Sequence, residues 1–344
     1  MVKCSFCDRQ AVYVNRISGL AYCRIHFIEY FERKARKTIR KYNMLNPGDH
    51  VVVGVSGGKD SMALLHFLLK LKKKIPGLEV TAVLVDEGIK GYREKTIPTL
   101  VNYAEKHSVK YIIASFKDYI GATLDEIVQK SFELKLPYMP CSYCGVFRRH
   151  VLNTVAREVG ATVLATAHNL DDMVQTYLMN LINNSWDRIL SLAPVRSSSE
   201  EYIVKRIKPF YEIPEKETAL YALLNGLIQP EFNQCPYVKY NVRFTIRKLV
   251  NELEDKYPGS KYGLLRSLLE LIELQNKVEL VEKKFMQCAI CGNPSSHPVC
   301  RGCVFRAQLG LLKNEEKLKL DVLLRENPDV AKLFKQSGSG KQLQ

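Results

Sequence analysis

A parallel-sheet α/β domain set between two small metal-type modules is the fold class this sequence predicts, and three observations carry it. From residue 51 to about 183, short apolar runs alternate with amphipathic helical stretches, the pattern of strands joined by crossover helices and covered on both faces. A glycine-rich turn, Gly54-Val55-Ser56-Gly57-Gly58, separates the first of these runs from the first helix. At both ends of the chain, cysteines come in pairs two residues apart.

The elements follow in order. A basic helix is expected over residues 30–42, broken at Asn46-Pro47-Gly48. Strands are expected at 51–55, 80–85, 109–114 and 162–166, and helices at 62–71, 93–107, 122–135, 145–159 and 170–183. Residues 185–208 read as polar loop with room for one strand. Helices return at 215–226, 241–255 and 261–285, followed by a cysteine-rich unit at 288–303 and a charged helix to about 325. The expected organisation is a metal module at 1–28, a basic linker helix at 29–48 and a catalytic domain at 49–255. A C-terminal helix and metal module at 256–325 and a tail of linker composition at 326–344 complete it.

Composition narrows the function. The 344 residues exceed one average domain, and 46% hydrophobic with 25% charged residues is globular. No apolar run approaches the roughly 18–20 residues that cross a bilayer, and the first residues lack the apolar core of a secretory signal. A cytoplasmic chain without a membrane span is therefore expected. A formal net charge of +15 and a pI near 9.3 suit a polyanionic partner.

Ten cysteines in a reducing compartment point to metal ligation or catalysis rather than disulfides. Cys4, Cys7, Cys23 and His26 have the two-plus-two spacing of a closed tetrahedral zinc site, and Cys288, Cys291, Cys300 and Cys303 have its four-thiolate form. His297 reads as a surface imidazole. Cys141, Cys144 and Cys235 are left over. Three thiolates cannot close a four-ligand zinc site; they suit a [4Fe–4S] cluster with one iron free of protein ligand. A redox dithiol at Cys141 and Cys144, with Cys235 as a buried apolar residue, is the competing reading. Full ligation of all three sites lowers the expected net charge to +11, still strongly basic.

The turn Ser56-Gly57-Gly58-Lys59-Asp60-Ser61 stands between strand and helix, where glycines let backbone approach an anion and the first helical amides point at it. The Walker spacing is absent; the six residues are the pyrophosphate-loop signature of enzymes that split ATP into AMP and pyrophosphate. The Ser56–Gly58 amides are expected to hold the pyrophosphate, and Asp60 to hold Mg²⁺ or act near the α-phosphate. A second cluster, Ala167-His168-Asn169-Leu170-Asp171-Asp172, follows a strand and opens a helix, so it can face the same crevice. Asp172 reads as catalytic or as a helix-terminal charge, and His168 as a core or crevice residue.

Both quartets, the glycine-rich loop, Cys141-Ser142-Tyr143-Cys144-Gly145 followed by Arg148 and Arg149, the Asp171-Asp172 cluster and Cys235, in that order, resemble the tRNA 2-thiouridine synthetase family. That family comprises the TtuA-type enzymes and their archaeal and eukaryotic cytosolic relatives, and the match runs from Cys4 to Cys303. The resemblance implies a PP-loop domain of the adenine nucleotide alpha hydrolase-like class between two zinc fingers, usually in a homodimer. It implies ATP on Gly54, Ser56, Gly57, Gly58, Lys59, Asp60, Ser61, Val85, Ala167 and Asp172, with Lys59, Asp60, Arg148 and Asp172 at the chemistry. Arg148 stands where some relatives carry a catalytic lysine, so only charge stabilisation carries over. Cys141, Cys144 and Cys235 match the cluster ligands. The implied cofactors are ATP, Mg²⁺, a [4Fe–4S] cluster and two Zn²⁺, and sulfur comes from a thiocarboxylated ubiquitin-like carrier or from sulfide.

The chemistry then expected is activation of a tRNA uridine O2 as an adenylate, followed by sulfur substitution. Wobble U34 is favoured as the target and U54 is the alternative. Arg33, Lys34, Arg36, Lys37, Arg40 and Lys41 are expected to touch tRNA. The rival readings are a persulfide thiolase without a cluster, another PP-loop tRNA-modifying ligase, and a non-catalytic RNA-binding or electron-transfer protein.

Overall fold

The computed structural model describes residues 2–94, 96–196, 203–228, 235–238, 242–277 and 286–335. Its centre is a sheet of six strands, β3 (His50–Gly54), β4 (Glu79–Asp86), β5 (Lys110–Ser115), β6 (Val163–Ala165), β7 (Val195–Arg196) and β8 (Lys205–Ile207). They lie in the order β5-β4-β3-β6-β8-β7, parallel except for β7, which runs antiparallel to β8. Val51, Val52 and Val53 of β3 are wholly buried because helices cover both faces. The chain leaves β3 toward β4 and β5 and returns on the other side as β6. The order therefore reverses between β3 and β6, and a crevice opens beyond their carboxyl ends.

The covering helices match the apolar periodicity. On one face α1 (Arg24–Lys41), α2 (Lys59–Lys72), α3 (Thr96–Lys106) and α9 (Glu215–Leu224) pack around Phe31, Phe67, Phe210 and Tyr221. On the other, α4 (Phe116–Ile120), α5 (Leu124–Glu133) and α6 (Pro140–Glu158) enclose Phe116, Tyr143, Phe147 and Val151. A third core joins α7 (Leu170–Ile182) and α8 (Trp186–Leu190) to α10 (Arg243–Lys256) and α11 (Ser260–Lys277). Among the described residues no helix is long and apolar enough to cross a membrane.

Four expectations change. Residues 185–208 carry two strands and a helical turn, not a loop with one strand, because tertiary pairing with β6 supplies the ladder that so short a strand lacks alone. The helix expected at 145–159 begins at Pro140: Met139 is its N-cap, and proline at the first helical position loses no hydrogen bond. The helix expected at 30–42 begins at Arg24, directly after the ligand Cys23. The tail expected at 326–344 instead begins with a helix over Pro328–Lys335; its remainder from 336, and the expected end of the 261–285 helix from 278, lie outside the described residues.

The end modules dock through named contacts. The hairpin β1 (Tyr13–Val14) and β2 (Ala21–Tyr22) leads into α1, whose Tyr30 and Lys34, with Tyr13, bond the buried Glu217 of α9 at 3.2, 2.8 and 2.9 Å. At the other end, β9 (Met286–Gln287), β10 (Pro294–Ser295) and α12 (Arg301–Gln308) sit against α6: Arg157 donates to the Gly292 carbonyl at 2.6 Å and Asn293 to Thr154 Oγ1 at 2.9 Å. The helices α13 (Asn314–Glu326) and α14 (Pro328–Lys335) close this end.

Phe31 is wholly buried and stacks on Tyr221 with centroids 4.1 Å apart and planes at 12°. Phe31→Ala is expected to cost about 3–5 kcal/mol, read as a lowered midpoint in equilibrium urea unfolding.

Candidate nucleotide and thiol site

The glycine-rich loop is built to meet an anion. Gly58 is the N-cap of α2 and no side chain caps that helix, so its first amides have no intrahelical partner. Gly57 holds φ +77°, and a Cβ there would stand 2.6 Å from Thr96 Cβ and 2.9 Å from Thr96 O; only glycine fits. The Ser61 hydroxyl lies 3.1 Å from the Ser56 amide and 2.9 Å from the Gly58 carbonyl, which fixes the curl of the loop.

The charged residues at this end are already balanced against one another. Lys59 Nζ bonds Asp60 and Glu215, each at 2.8 Å, and Arg247 bonds Glu215 at 2.8 Å. Burial would lower the Lys59 ammonium, but the Asp60 and Glu215 carboxylates outweigh it and raise it. Burial raises the Asp60 carboxyl despite Lys59, and its Oδ1 is buried with no hydrogen-bond partner. An orphaned carboxylate oxygen beside a phosphate cradle fits a hard divalent cation.

Asp171 and Asp172 divide their roles. Asp171 is 3% exposed; it pairs with the buried Lys261 and accepts the Glu215 amide at 2.7 Å, so it ties α7 to α9 and α11. Asp172 forms a capping box with Asn169, their paired bonds both 3.1 Å, and its other oxygen takes Arg243. Burial raises its carboxyl, offset in part by Arg243. Of the two readings of Asp172, the helix-terminal role is therefore present, and its carboxylate lies within electrostatic reach of Asp60. His168 lies in the crevice. It is exposed, its Nδ1 2.8 Å from the Thr166 hydroxyl, and partial desolvation together with Lys208, Arg243, Arg149 and Arg148 lowers its imidazole.

Two of the three leftover thiols, Cys141 and Cys144, occupy the first turn of α6, whose N-terminus favours thiolates. Cys235 precedes a helical turn, Pro236–Val238, that is pinned by Tyr237 donating to Asp125 at 2.6 Å. Cys144, Cys235 and Tyr237 pack on the same apolar core, and the Cys141 thiol lies 3.8 Å from the Tyr237 carbonyl. In the metal-free chain burial pushes the Cys144 thiol up to about 11, against the pull of Arg148. The three sulfurs are not drawn within 4.8 Å of one another, as the ligand atoms of each zinc-type quartet are. A single ion is thus a poor fit, and a polynuclear cluster, whose ligands stand further apart, a better one.

The quartets fit one tetrahedral ion each. Cys4 and Cys23 sulfurs lie 3.3 and 3.5 Å from His26 Nδ1, Cys7 lies 3.7 Å from Cys23, and Cys291 lies 3.7 Å from Cys300. A Zn–S bond of about 2.3 Å sets sulfurs about 3.7 Å apart.

Sequence reading missed Glu87. It follows β4, is 0% exposed, and receives Arg93 at 2.5 and 2.7 Å and Arg148 at 2.6 Å. Arg93 also donates to the Ser56 carbonyl at 2.6 Å, and Arg148 to the Cys144 sulfur at 3.2 Å. One carboxylate thus joins the phosphate loop to the thiol corner. Burial would raise it, but the two guanidiniums outweigh burial and keep it ionised below the usual glutamate range. Its sequence signal was slight: a second acid directly after Asp86, at the end of an apolar strand.

Residues 28–253 match the PP-loop domain family, and residues 3–28 match the N-terminal LIM domain of the 2-thiouridine synthetase TtuA. The chain is 35% identical over 318 residues to the tRNA 2-thiolation protein NcsA of Haloferax volcanii, covering 88% of this chain and 97% of that protein. This chain belongs to the tRNA 2-thiouridine synthetase family. The synthetase is also 33% identical to the tRNA-5-methyluridine(54) 2-sulfurtransferase of Pyrococcus horikoshii over 304 residues, 88% of this chain and 93% of that one. Among solved structures it is similar to the U34-tRNA thiolase NcsA of Methanococcus maripaludis with its [4Fe–4S] cluster. There the TM-score is 0.78 at 36% identity, covering 91% of this chain and 98% of that chain. As a member of this family the synthetase is a sulfurtransferase with an ATP-binding PP-loop domain.

Two changes test this geometry. Gly57→Ala forces a side chain into the left-handed region against Thr96, a strain of about 1–3 kcal/mol, so calorimetry is expected to show ATP binding weakened about tenfold or more. Glu87→Gln leaves the buried Arg93 facing a neutral amide and is expected to lose about 3–5 kcal/mol in urea unfolding. A loss under 1 kcal/mol would show that water already serves those guanidiniums.

Proposed function

We propose that the synthetase adenylates the C2 oxygen of a tRNA uridine and replaces that oxygen with sulfur held at the Cys141, Cys144 and Cys235 site. The observation that carries this reading is the Glu87 bridge, which sets an ATP-type phosphate loop and an incomplete thiol triad at the two ends of one ion-pair chain. An ATP-splitting site alone needs no thiols, and a redox dithiol needs no phosphate cradle.

The chemistry follows from the leaving group. Oxide is too poor a leaving group to depart from C2 of uracil. When that oxygen attacks the α-phosphorus of ATP, pyrophosphate departs; when sulfur then adds at C2, AMP leaves with the original oxygen. The free amides at the start of α2 hold the departing pyrophosphate. Lys59 can turn from Asp60 toward the phosphates, and Asp60 and Asp172 supply carboxylate oxygens for Mg²⁺. Arg148, fixed by Glu87, supplies a permanent positive charge beside the thiols. A [4Fe–4S] cluster on three thiolates supplies one iron without a protein ligand, where sulfur can be held close to C2. The target base must leave its stack to enter the crevice.

The sulfur donor is a thiocarboxylated carrier protein or sulfide, and Zn²⁺ fills the two quartets. Wobble U34 is the favoured target, supported by the likeness along nearly the whole chain to a U34-tRNA thiolase. A reducing, cytoplasmic setting suits ten cysteines without a disulfide among them.

Anaerobically purified protein is expected to carry about four irons beyond zinc and to convert uridine to 2-thiouridine with ATP, tRNA and sulfide, as read by nucleoside mass spectrometry mapped to position. Cys235→Ser is expected to abolish thiolation and leave calorimetric ATP binding unchanged. Full activity of iron-free protein would overturn the cluster reading; thiolation confined to position 54 would overturn the choice of U34.

A further inference from the structure

Beyond the crevice, on the side away from the phosphate loop, several cations gather on one face. Arg196 of β7 and Arg206 of β8 are paired directly across the antiparallel ladder, so their side chains leave the same face of the sheet. Lys208 follows Arg206 by two residues and continues that face. The face is the one α6 covers: Arg206 donates twice to Asn153 of α6, at 3.2 and 2.6 Å. Arg149 stands one helical turn before Asn153, is exposed, and lies close to Arg188 of α8.

Among the described residues no carboxylate pairs with Arg149, Arg206 or Lys208; Lys208 instead donates to the Leu192 carbonyl at 3.5 Å and to the Ala193 carbonyl. Burial and the neighbouring arginines lower the Lys208 ammonium to about 7, a cost an incoming anion would remove. The nucleotide's own phosphates have their cradle at the end of β3, two strands and about 10 Å from β8. The exposed His168, after β6, lies within electrostatic reach of Lys208 and Arg149.

Of the six cations singled out on the basic helix, three are engaged within the chain, while Arg33, Lys37 and Arg40 are exposed. Lys34 bonds Glu217 and Tyr262, Arg36 pairs with Glu32, and Lys41 pairs with Glu212.

We infer that Arg149, Arg188, Arg206 and Lys208 form the phosphodiester-binding mouth of the site, holding the tRNA backbone that flanks the target uridine while its base enters past His168. The inference rests on the tRNA-thiolation reading and adds which surface grips the polymer. Phosphate contacts of this kind position the strand without reading its sequence.

The test compares the full-length protein with its Arg149→Gln/Arg188→Gln and Arg149→Lys/Arg188→Lys double variants, using tRNA binding across a salt series and calorimetric ATP binding. Arg206 is left alone because of its bond to Asn153. Removing two phosphate contacts is expected to weaken tRNA binding about tenfold at low salt and to flatten the log–log salt slope by about two. ATP affinity should stay at wild type, and the lysine pair should restore most of the tRNA affinity, which a folding defect would not allow. Unchanged tRNA affinity and slope in the glutamine pair, with thiolation intact in the wild type, would overturn the mouth and leave the function standing. Loss of ATP affinity with tRNA binding intact would overturn it too, by making the patch a nucleotide subsite. Wild-type protein that binds no tRNA at all would instead overturn the function reading itself.

Discussion

A wholly buried carboxylate between two guanidiniums is the constraint around which this molecule is arranged. Glu87 cannot stay ionised inside a protein without compensation, since burial of a lone charge costs several kcal/mol. Arg93 and Arg148 supply it, and each has a further bond to spend. Arg93 spends its bond on the carbonyl of Ser56, Arg148 on the sulfur of Cys144. The phosphate loop and the thiol corner, 88 residues apart in sequence between Ser56 and Cys144, are thereby held by a single short chain of charge-assisted bonds. Movement of either end has to disturb a desolvated ion pair.

Helix α6 is the second organising element. Its first turn presents Cys141 and Cys144 to the positive end of the helix, and its middle carries Arg148 and Arg149 toward the crevice. Its later turns dock the C-terminal module through Thr154 and Arg157. His150 lies under that module, where a Cβ on Gly302 would stand 2.9 Å from its Nδ1. One rigid rod thus sets the thiols at a fixed distance from the zinc-type quartet at the chain's end. The N-terminal module is tied in by different means, a buried glutamate on α9 that collects Tyr13, Tyr30 and Lys34.

Much of this was legible beforehand. Val51–Val53 had to be a buried parallel strand, and the glycines after it had to turn toward an anion. Cysteines in pairs two apart had to form knuckles, since each of these follows from local sequence alone. The start of α6 was missed although Pro140 marked it. For β7 and β8 only one strand was allowed, because two and three residues carry no periodicity; they exist only where β6 offers a free edge.

The sequence by itself determined the parallel sheet, the phosphate loop and the two metal quartets, all of which rest on residues within one short segment or on fixed ligand spacing. Only the tertiary structure decided that Asp171 is an anchor for Lys261 while Asp172 lies within electrostatic reach of Asp60. It alone showed that Glu87 joins loop to thiols, and that Arg149, Arg196 and Arg206 share a face. These are pairings between distant segments, and a side chain's partner across the fold depends on sheet order and helix placement, which no local pattern encodes.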